Sequence, residues 1–137
     1  MQAQSSILVE AYQFTSQPIA DALVAAQNRG VSVQVILDKS QVKSKYSMLS
    51  FLHQSGVPVW IDTKPTIAHN KIMIIDQREV ITGSFNFTDS AQKHNAENIL
   101  FISNEKVAQD YLRNWECRKT QSKSWPYPLF QKNGFLF

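Results

Sequence analysis

The sequence predicts an α/β fold in which a mixed β-sheet is flanked by helices on both faces. Three observations indicate this fold: a strand, a helix and a second strand follow one another within residues 5–38, two apolar strands form a hairpin within residues 67–86, and an amphipathic helix spans residues 104–121. The first pattern implies parallel pairing with a right-handed crossover, and the second implies antiparallel pairing. One sheet that contains both kinds of pairing accounts for them.

The first unit opens with the strand SSILVEAYQF, which is rich in the residues that strands prefer. Thr15 and Ser16 are favourable N-cap residues, and Pro18 stands in the first turn of the helix PIADALVAAQNR, where its missing N–H costs nothing. Gly30 ends that helix. The strand VSVQVILD then completes a strand–helix–strand unit.

The middle of the chain alternates short elements with loops. A basic loop, DKSQVKSKYS, precedes a helix in YSMLSFLHQSG that Gly56 ends, and VPVWID reads as a short strand. The segments IAHNKIMIID and EVITGSFN are two strands joined by a turn around Gln77 and Arg78, which predicts an antiparallel hairpin.

The last third contains a short helix or turn, a strand and a long helix. Thr88 is a plausible cap for FTDSAQKHN, AENILFIS is a strand, and NEKVAQDYLRNWECRKTQ is an amphipathic helix. The tail SKSWPYPLFQKNGFLF has two prolines and five aromatic residues, so we expect it to pack against the rest of the chain. We therefore predict one domain over residues 1–118, to which the motif described below assigns catalysis, and an aromatic and basic tail over residues 119–137.

Composition narrows the class of protein. The chain has 137 residues, 43% of them apolar, which suits one domain with an ordinary core, and its net charge of +3 leans mildly toward an anionic partner. Cys117 is the only cysteine, which excludes an intrachain disulfide and a metal site built from several cysteines. No apolar run is long enough to span a membrane, and the N-terminal residues do not form a signal peptide.

A histidine and a lysine stand side by side at the start of the first hairpin strand. Strand alternation places His69 and Lys71 on one face. The spacing alone is also met by a polar strand end that faces water. A cation site is a poor alternative, because the lysine repels a metal ion and neither a carboxylate nor a thiol lies nearby in sequence. The pair suits an anion, since the lysine supplies charge and donors and the histidine can attack phosphorus or transfer a proton.

The second hairpin strand brings Gly83, Ser84 and Asn86 toward the same place. The glycine would let a substrate approach the backbone closely, and the two polar side chains share a face from which each can donate to a phosphate oxygen. Fixed donors that converge on one point are typical of phosphoryl-transfer sites.

The series His69-x-Lys71-x4-Asp76-x6-Gly83-Ser84-x-Asn86 resembles the HKD motif of the phospholipase D superfamily, with every fixed position present. The segments AYQFTSQPIADALVAAQNRGVSVQVILDK and NAENIL resemble the small single-motif bacterial endonucleases of that superfamily, and the resemblance covers about residues 7–115. It implies a phospholipase D-like fold. Members usually begin with one more strand and helix, which we expect to be missing here, leaving an edge of the sheet and some core uncovered.

The resemblance also implies a role for each residue. His69 corresponds to the nucleophile that forms a covalent phosphohistidine, and Lys71, Ser84 and Asn86 correspond to phosphate ligands. Glu97 matches the downstream carboxylate that holds the other ring nitrogen of the histidine, so the catalytic set is His69, Lys71 and Glu97. Asp76 and Gly83 are assigned structural roles. We expect no metal ion and no other cofactor. We expect His53 to lie near the C-terminal end of its helix, where the helix dipole favours a histidine, and His94 to have a surface role.

The chemistry implies a homodimer. Displacement at phosphorus needs a second group that protonates the leaving oxygen, and in the superfamily that group is the histidine of a second motif copy. This chain has one copy, so two chains about a two-fold axis would share one site.

The favoured function is a metal-independent, non-specific endonuclease for DNA or RNA, since lysines occur in the loops near the predicted site: Lys39, Lys43, Lys45 and Lys64. One alternative is a phospholipid hydrolase of the phospholipase D type, which the aromatic tail keeps open. Another is a catalytically impaired member that binds nucleic acid. The compartment stays open: periplasmic or secreted if an upstream signal has been removed, and otherwise cytoplasmic.

Overall fold

A seven-stranded mixed sheet with helices on both faces forms the framework of residues 2–129, the part of the chain that the computed structural model describes. The strands are β1 (Ser6–Ala11), β2 (Ser32–Asp38), β3 (Val59–Asp62), β4 (Lys71–Ile75), β5 (Glu79–Gly83), β6 (Ile99–Ser103) and β7 (Lys123–Ser124). The helices are α1 (Gln17–Asn28), α2 (Leu49–Gln54), α3 (Asp89–Lys93) and α4 (Glu105–Gln121), with a 3₁₀ turn at Lys39–Val42.

The strand order is β6-β5-β4-β1-β2-β3-β7. β1, β2 and β3 run parallel to one another, whereas the β1–β4, β4–β5, β5–β6 and β3–β7 pairs are antiparallel. The predicted mixed α/β fold is therefore confirmed. β1 lies at the centre of the sheet, between a parallel partner on one side and an antiparallel partner on the other.

Local sequence explains the elements that frame the site. The Ser16 side chain accepts a hydrogen bond from the backbone N–H of Ile19 and so caps α1, with Pro18 in the first turn as predicted. Gly30 has a φ of 97°, which suits the left-handed residue that follows a helix. Thr88 caps α3 by accepting from Ala91, and Asn104 caps α4 by accepting from Val107.

The two faces of the sheet carry separate apolar cores. Helices α1 and α2 cover one face through Leu23 and Leu52. Helix α4 covers the other face, where fully buried Trp115 packs on Leu8 and Ile74. The Trp115 indole N–H also donates to the Val9 carbonyl at 3.0 Å, which ties α4 to the central strand.

The first hairpin strand is shorter than the sequence predicts, because β4 begins at Lys71 rather than at Ile67. The loop before β4 is held by the last residue of β2, because the Ala68 N–H donates to Asp38 Oδ1 at 2.8 Å. The turn that follows β4 contains Asp76 and Gln77, both with positive φ.

The tail packs on the sheet as expected over its described part. β7 pairs with β3, the Trp125 N–H donates to the Val59 carbonyl at 2.9 Å, and Trp125 and Tyr127 pack against the core on the α1 side. Helix α4 continues to Gln121, past the end of the predicted catalytic domain. The remaining tail residues, 130–137, lie outside the described part.

At the other end of the sheet, β6 presents apolar side chains to the surface. Ile99, Leu100 and Phe101 are 42%, 59% and 73% exposed. Among residues 2–129, no helix is long and apolar enough to cross a bilayer.

An acidic cluster is buried beneath α4. Asp62 is fully buried and accepts two hydrogen bonds from the Arg118 guanidinium, at 2.8 and 2.9 Å. Glu10 on β1 is 1% exposed, and neither of its carboxyl oxygens has a hydrogen-bond partner in the described part of the chain. Burial, followed by the charge of Asp62, raises the pKa of Glu10 to about 7 although Arg118 opposes the shift.

Candidate active site

His69 and Lys71 meet at the start of β4. The Lys71 ammonium donates to the His69 carbonyl oxygen at 2.6 Å and lies 2.9 Å from His69 Nδ1. Lys71 is only 8% exposed, and this burial lowers the pKa of its ammonium while the Glu97 carboxylate acts in the opposite direction. The two side chains are neighbours, as strand alternation predicts, although His69 itself lies just before the strand.

Tyr12 is a third member of this group that the sequence does not reveal. Its ring centroid lies 4.7 Å from that of His69, and the Lys71 Nζ atom lies 5.6 Å from the same ring. The cause is the β1–β4 pairing, which sets Ala11 opposite Lys71 and places Tyr12, the first residue after β1, beside the imidazole. A tyrosine directly after the central strand could have been flagged only once the antiparallel β1–β4 register was known.

Ser84 and Glu97 form a hydrogen-bonded pair where β5 and β6 begin to pair. The Ser84 hydroxyl donates to Glu97 at 2.6 Å, and the Asn95 side-chain amide donates to the other carboxylate oxygen at 3.1 Å. These two bonds hold the pKa of Glu97 below its ordinary value, and the charge of Lys71 adds to the effect. Within residues 2–129 the Glu97 carboxylate therefore bonds to Ser84 and Asn95 rather than to His69.

Gly83 lies where β5 comes very close to the segment before β6. Its φ is 146°, and a Cβ atom there would lie 2.1 Å from the carbonyl oxygen of Asn98 on the adjoining segment before β6. Only glycine lets these backbones come so close, and Ser84 N–H donates to that same carbonyl at 2.9 Å. The position that a side chain would take at Gly83 is occupied by the neighbouring chain segment, which accounts for the glycine, and close approach of a substrate to this backbone stays a prediction.

Asn86 follows in the loop before α3. Its side-chain oxygen is buried and has no hydrogen-bond partner among the described residues. This oxygen can only accept, so a phosphate oxygen would have to be bound by the amide N–H groups of the same side chain. The side chain therefore keeps hydrogen-bonding capacity that the described residues do not use.

Asp76 lies at the far end of β4 from Lys71. Burial favours the neutral acid, but backbone N–H donors of Ser5, Gln4 and Ser6 and the Ser5 hydroxyl outweigh it and hold the pKa of Asp76 at about 2. The carboxylate pins the segment that leads into β1 to the hairpin turn. This placement agrees with the structural role assigned to it.

The described part of the chain contains no group of three or more His, Cys, Asp or Glu side chains that could hold a metal ion.

Comparisons with known proteins agree with the motif. Residues 1–117 match the family described as cardiolipin synthase, PLD-like domain. A solved structure of Nuc, a phospholipase D family member from Salmonella typhimurium, superposes with a TM-score of 0.87 at 37% identity, covering 92% of this chain and 85% of that one.

Curated relatives match over similar lengths of this chain. Phospholipase D from Rickettsia prowazekii (strain Madrid E) is 52% identical over 122 residues, which is 89% of this chain and 60% of the relative. Mitochondrial cardiolipin hydrolase from Homo sapiens is 30% identical over 128 residues, which is 93% of this chain and 51% of the relative. The chain thus spans about half to three fifths of the length of these relatives.

Proposed function

The chain belongs to the PLD-like domain family of the phospholipase D superfamily, and from that premise we propose that it hydrolyses phosphodiester bonds as a metal-independent endonuclease. The observation that carries the proposal is the contact of Lys71 with His69, which puts a cation and a potential nucleophile 2.9 Å apart. A phosphate oxygen bound by the ammonium would bring its phosphorus atom within reach of the imidazole.

The reaction has two displacements. An unprotonated ring nitrogen of His69 attacks phosphorus, the bond from phosphorus to the leaving oxygen breaks, and a proton passes to that oxygen. Water then attacks the phosphohistidine, gives up a proton, and the phosphorus–nitrogen bond breaks. Lys71 and Asn86 stabilise the charge that develops on the phosphoryl oxygens, because they are fixed donors. Ser84 joins them if its hydroxyl turns from Glu97 to the phosphate.

Glu97 has a positioning role in this scheme. Its carboxylate is held by Ser84 and Asn95, and its charge is felt at Lys71. We expect it to bond to the His69 imidazolium during turnover, since a carboxylate that faces an imidazole fixes its tautomer and supports its charge.

A second histidine must give and take the proton, and the chain holds one H-x-K series. The proposed enzyme is therefore a homodimer in which one His69 attacks and the partner's copy protonates the leaving oxygen. Such an arrangement makes the site incomplete in a single chain.

Nucleic acid is the favoured substrate because of loop lysines near the site. Lys39 and Lys43 are exposed on the 3₁₀ turn and at its end, and Lys64 lies in the loop after β3. Lysine side chains of this kind bind phosphate groups and do not distinguish one base from another, which suits cleavage without sequence preference. A phospholipid is the second candidate, supported by the names of the curated relatives and by the apolar residues Ile67 and Leu129 at the surface.

One experiment separates these functions. The protein is incubated in excess chelator with circular DNA, with single-stranded RNA and with vesicles of an anionic phospholipid, beside His69→Asn as the matched control. Release of nicked DNA or shortened RNA that His69→Asn does not produce supports the endonuclease. Release of a lipid headgroup alone overturns it in favour of the phospholipid hydrolase, and binding of nucleic acid without turnover indicates the impaired member.

A further inference from the structure

A groove opens beside the proposed nucleophile on the tail side of the molecule. Its volume is about 510 Å³, and six of the residues that line it are Tyr12, Lys39, Lys43, Ile67, Tyr127 and Leu129. Tyr12 is shared with the candidate active site, because its ring also contacts His69. Tyr12 therefore lies between His69 and the groove, so a chain whose phosphate lies at His69 needs to pass only this ring to reach the groove.

The described part of the tail builds the outer wall of this groove. β7 is hydrogen-bonded to β3, and the Trp125 N–H donates to the Val59 carbonyl. The rings of Trp125 and Tyr127 then pack edge to face, with centroids 5.5 Å apart and planes at 90°. Tyr127 is thus held by the sheet in spite of its position near the end of the described chain, and it lies beyond the residues that the family model matches.

The chemistry of the lining combines flat rings, cations and hydroxyls. Tyr12 and Tyr127 supply aromatic rings, and Lys123 lies 5.1 Å from the centroid of the second ring. Lys39 and Lys43 supply exposed ammonium groups, while two threonines, Thr63 and Thr66, add hydrogen-bonding groups. Ile67 and Leu129 are 50% and 39% exposed, so apolar surface is available beside the polar groups.

This mixture fits a nucleobase better than an acyl chain. A base has an aromatic face that stacks on tyrosine, polar edges that hydroxyls can bind, and a flanking phosphate that a lysine can neutralise. An acyl chain has no polar atom, so it would cover the hydroxyls and ammonium groups without pairing them, at a cost in free energy.

We propose that this groove binds one unpaired nucleobase next to the scissile phosphate, and that Tyr127 is the residue that makes the enzyme prefer single-stranded nucleic acid. The inference rests on the proposed function. A base in a duplex is stacked and paired on both sides, so its face is not available to Tyr127, whereas a single strand can turn a base into the groove.

The test is a binding measurement in the uncleaving His69→Asn background, in chelator, by fluorescence anisotropy. The probes are a labelled single-stranded oligonucleotide, the same sequence as a duplex, and a strand of equal length whose nucleosides are replaced by stable abasic tetrahydrofuran residues. Tyr127→Leu keeps apolar volume against Trp125 but removes the ring, Tyr127→Phe keeps the ring, and Tyr46→Leu is the matched control, because Tyr46 is 68% exposed and also lies near a lysine.

We expect Tyr127→Leu to weaken binding of the single strand about 10–100-fold, the range of one lost base–aromatic stack. Tyr127→Phe and Tyr46→Leu are expected to bind it normally, and binding of the duplex and of the abasic strand should not change. Equal affinity of Tyr127→Leu and its parent for the single strand overturns the inference. Should Tyr127→Leu unfold, the parent protein with Tyr127 is measured instead, by the ratio of its affinities for the normal and the abasic strand. A ratio near one also overturns the inference.

The failure of this inference differs from the failure of the proposed function. Cleavage of both the normal and the abasic strand by the active protein, with no effect of Tyr127→Leu, leaves the endonuclease standing and removes the base site. Hydrolysis of phospholipid vesicles with neither strand bound nor cleaved removes both. A loss of vesicle binding in Tyr127→Leu with oligonucleotide binding unchanged identifies the groove as a lipid site, which also overturns the inference.

Discussion

The ammonium group of Lys71 donates a hydrogen bond to the carbonyl oxygen of His69 and lies 2.9 Å from Nδ1 of the His69 ring. One lysine therefore fixes both the backbone and the ring of the residue that we propose as the nucleophile. It is also largely buried, and burial lowers its pKa. A buried cation beside an imidazole is unfavourable unless an anion joins it, which is the expected property of a phosphate site without a metal ion.

Lys71→Ala tests whether the lysine takes the place of a metal ion. We expect a rate loss of roughly 10²–10³-fold, the usual effect of removing one fixed transition-state donor. Because the wild type should turn over fully in chelator, added Mg²⁺ should not restore the variant. The measurement is kcat on an oligonucleotide with and without chelator. Loss of wild-type activity in chelator, restored by Mg²⁺, would rule out the mechanism.

The lowered pKa of Lys71 predicts the alkaline limb of the pH profile. The ammonium loses its proton as pH rises, so activity should fall at a pH below 10.5, the ordinary value for lysine. Whatever activity Lys71→Arg keeps should show this limb at a higher pH, because a guanidinium stays protonated. A limb that is unchanged in Lys71→Arg would mean that another group controls it.

Mixed dimers test the shared site. One His69 cannot act as nucleophile and as acid in the same displacement, so a dimer of one wild-type and one His69→Ala chain should be nearly inactive. Two different affinity tags allow such dimers to be purified and assayed against tagged wild-type dimers. Half activity in the mixed dimer, or full activity of a species that sediments as a monomer, would be inconsistent with the proposal.

Gly83→Ala tests the close approach of β5 to the segment before β6. The new Cβ would meet the Asn98 carbonyl at 2.1 Å, so the strands must separate and the Ser84–Glu97 pair must move with them. We expect both the thermal midpoint and the activity to fall. Gly30→Ala is the control: its φ is also positive, but a Cβ there meets nothing within 4 Å, so it should cost about 1 kcal/mol of strain and leave activity intact. Wild-type activity in Gly83→Ala would contradict this account.

Glu10 predicts how stability depends on pH. Its pKa is about 7 in the folded chain and 4.5 as the ordinary value, so the folded state holds the proton more tightly and stability falls as pH rises from about 4.5 to about 7. The shift corresponds to about 3 kcal/mol at pH 8. Glu10→Gln should remove this part of the pH dependence in urea unfolding curves, whereas Glu116→Gln on the exposed face of α4 should retain it. If the free energy of unfolding of Glu10→Gln depends on pH in the same way as that of the wild type, the assignment is refuted.

The sequence predicts the elements whose causes are local. The cap at Ser16, the proline in the first turn and the glycine after α1 define the first unit, and the motif spacing brings His69 and Lys71 together. Features that depend on pairing between distant segments cannot be predicted from local sequence patterns. Tyr12 reaches His69 only because β1 and β4 pair antiparallel, and the period-two pattern of β1 gives no reason to expect a carboxyl in a core, as at Glu10.

The site shows the same division. The resemblance to the family indicates Asp76 and Glu97, but their partners follow from geometry: Asp76 accepts from the segment before β1, and Glu97 accepts from Ser84 and Asn95. The contact at Gly83 is of the same kind, because no local pattern shows that the segment before β6 lies against it.

The central position of β1 has a consequence for the order in which the molecule is assembled. β1 is made before β2 and gains it as a partner within residues 6–38, as a local unit. Its other edge stays open until residues 71–75 have been made, because β4 is the strand that covers it. Closure of that edge joins segments far apart in the chain, which is the slow kind of step in folding, and it is also the step that creates the contact between Tyr12 and His69. Pairing of β1 with β4 and formation of the Tyr12–His69 contact are therefore the same folding event.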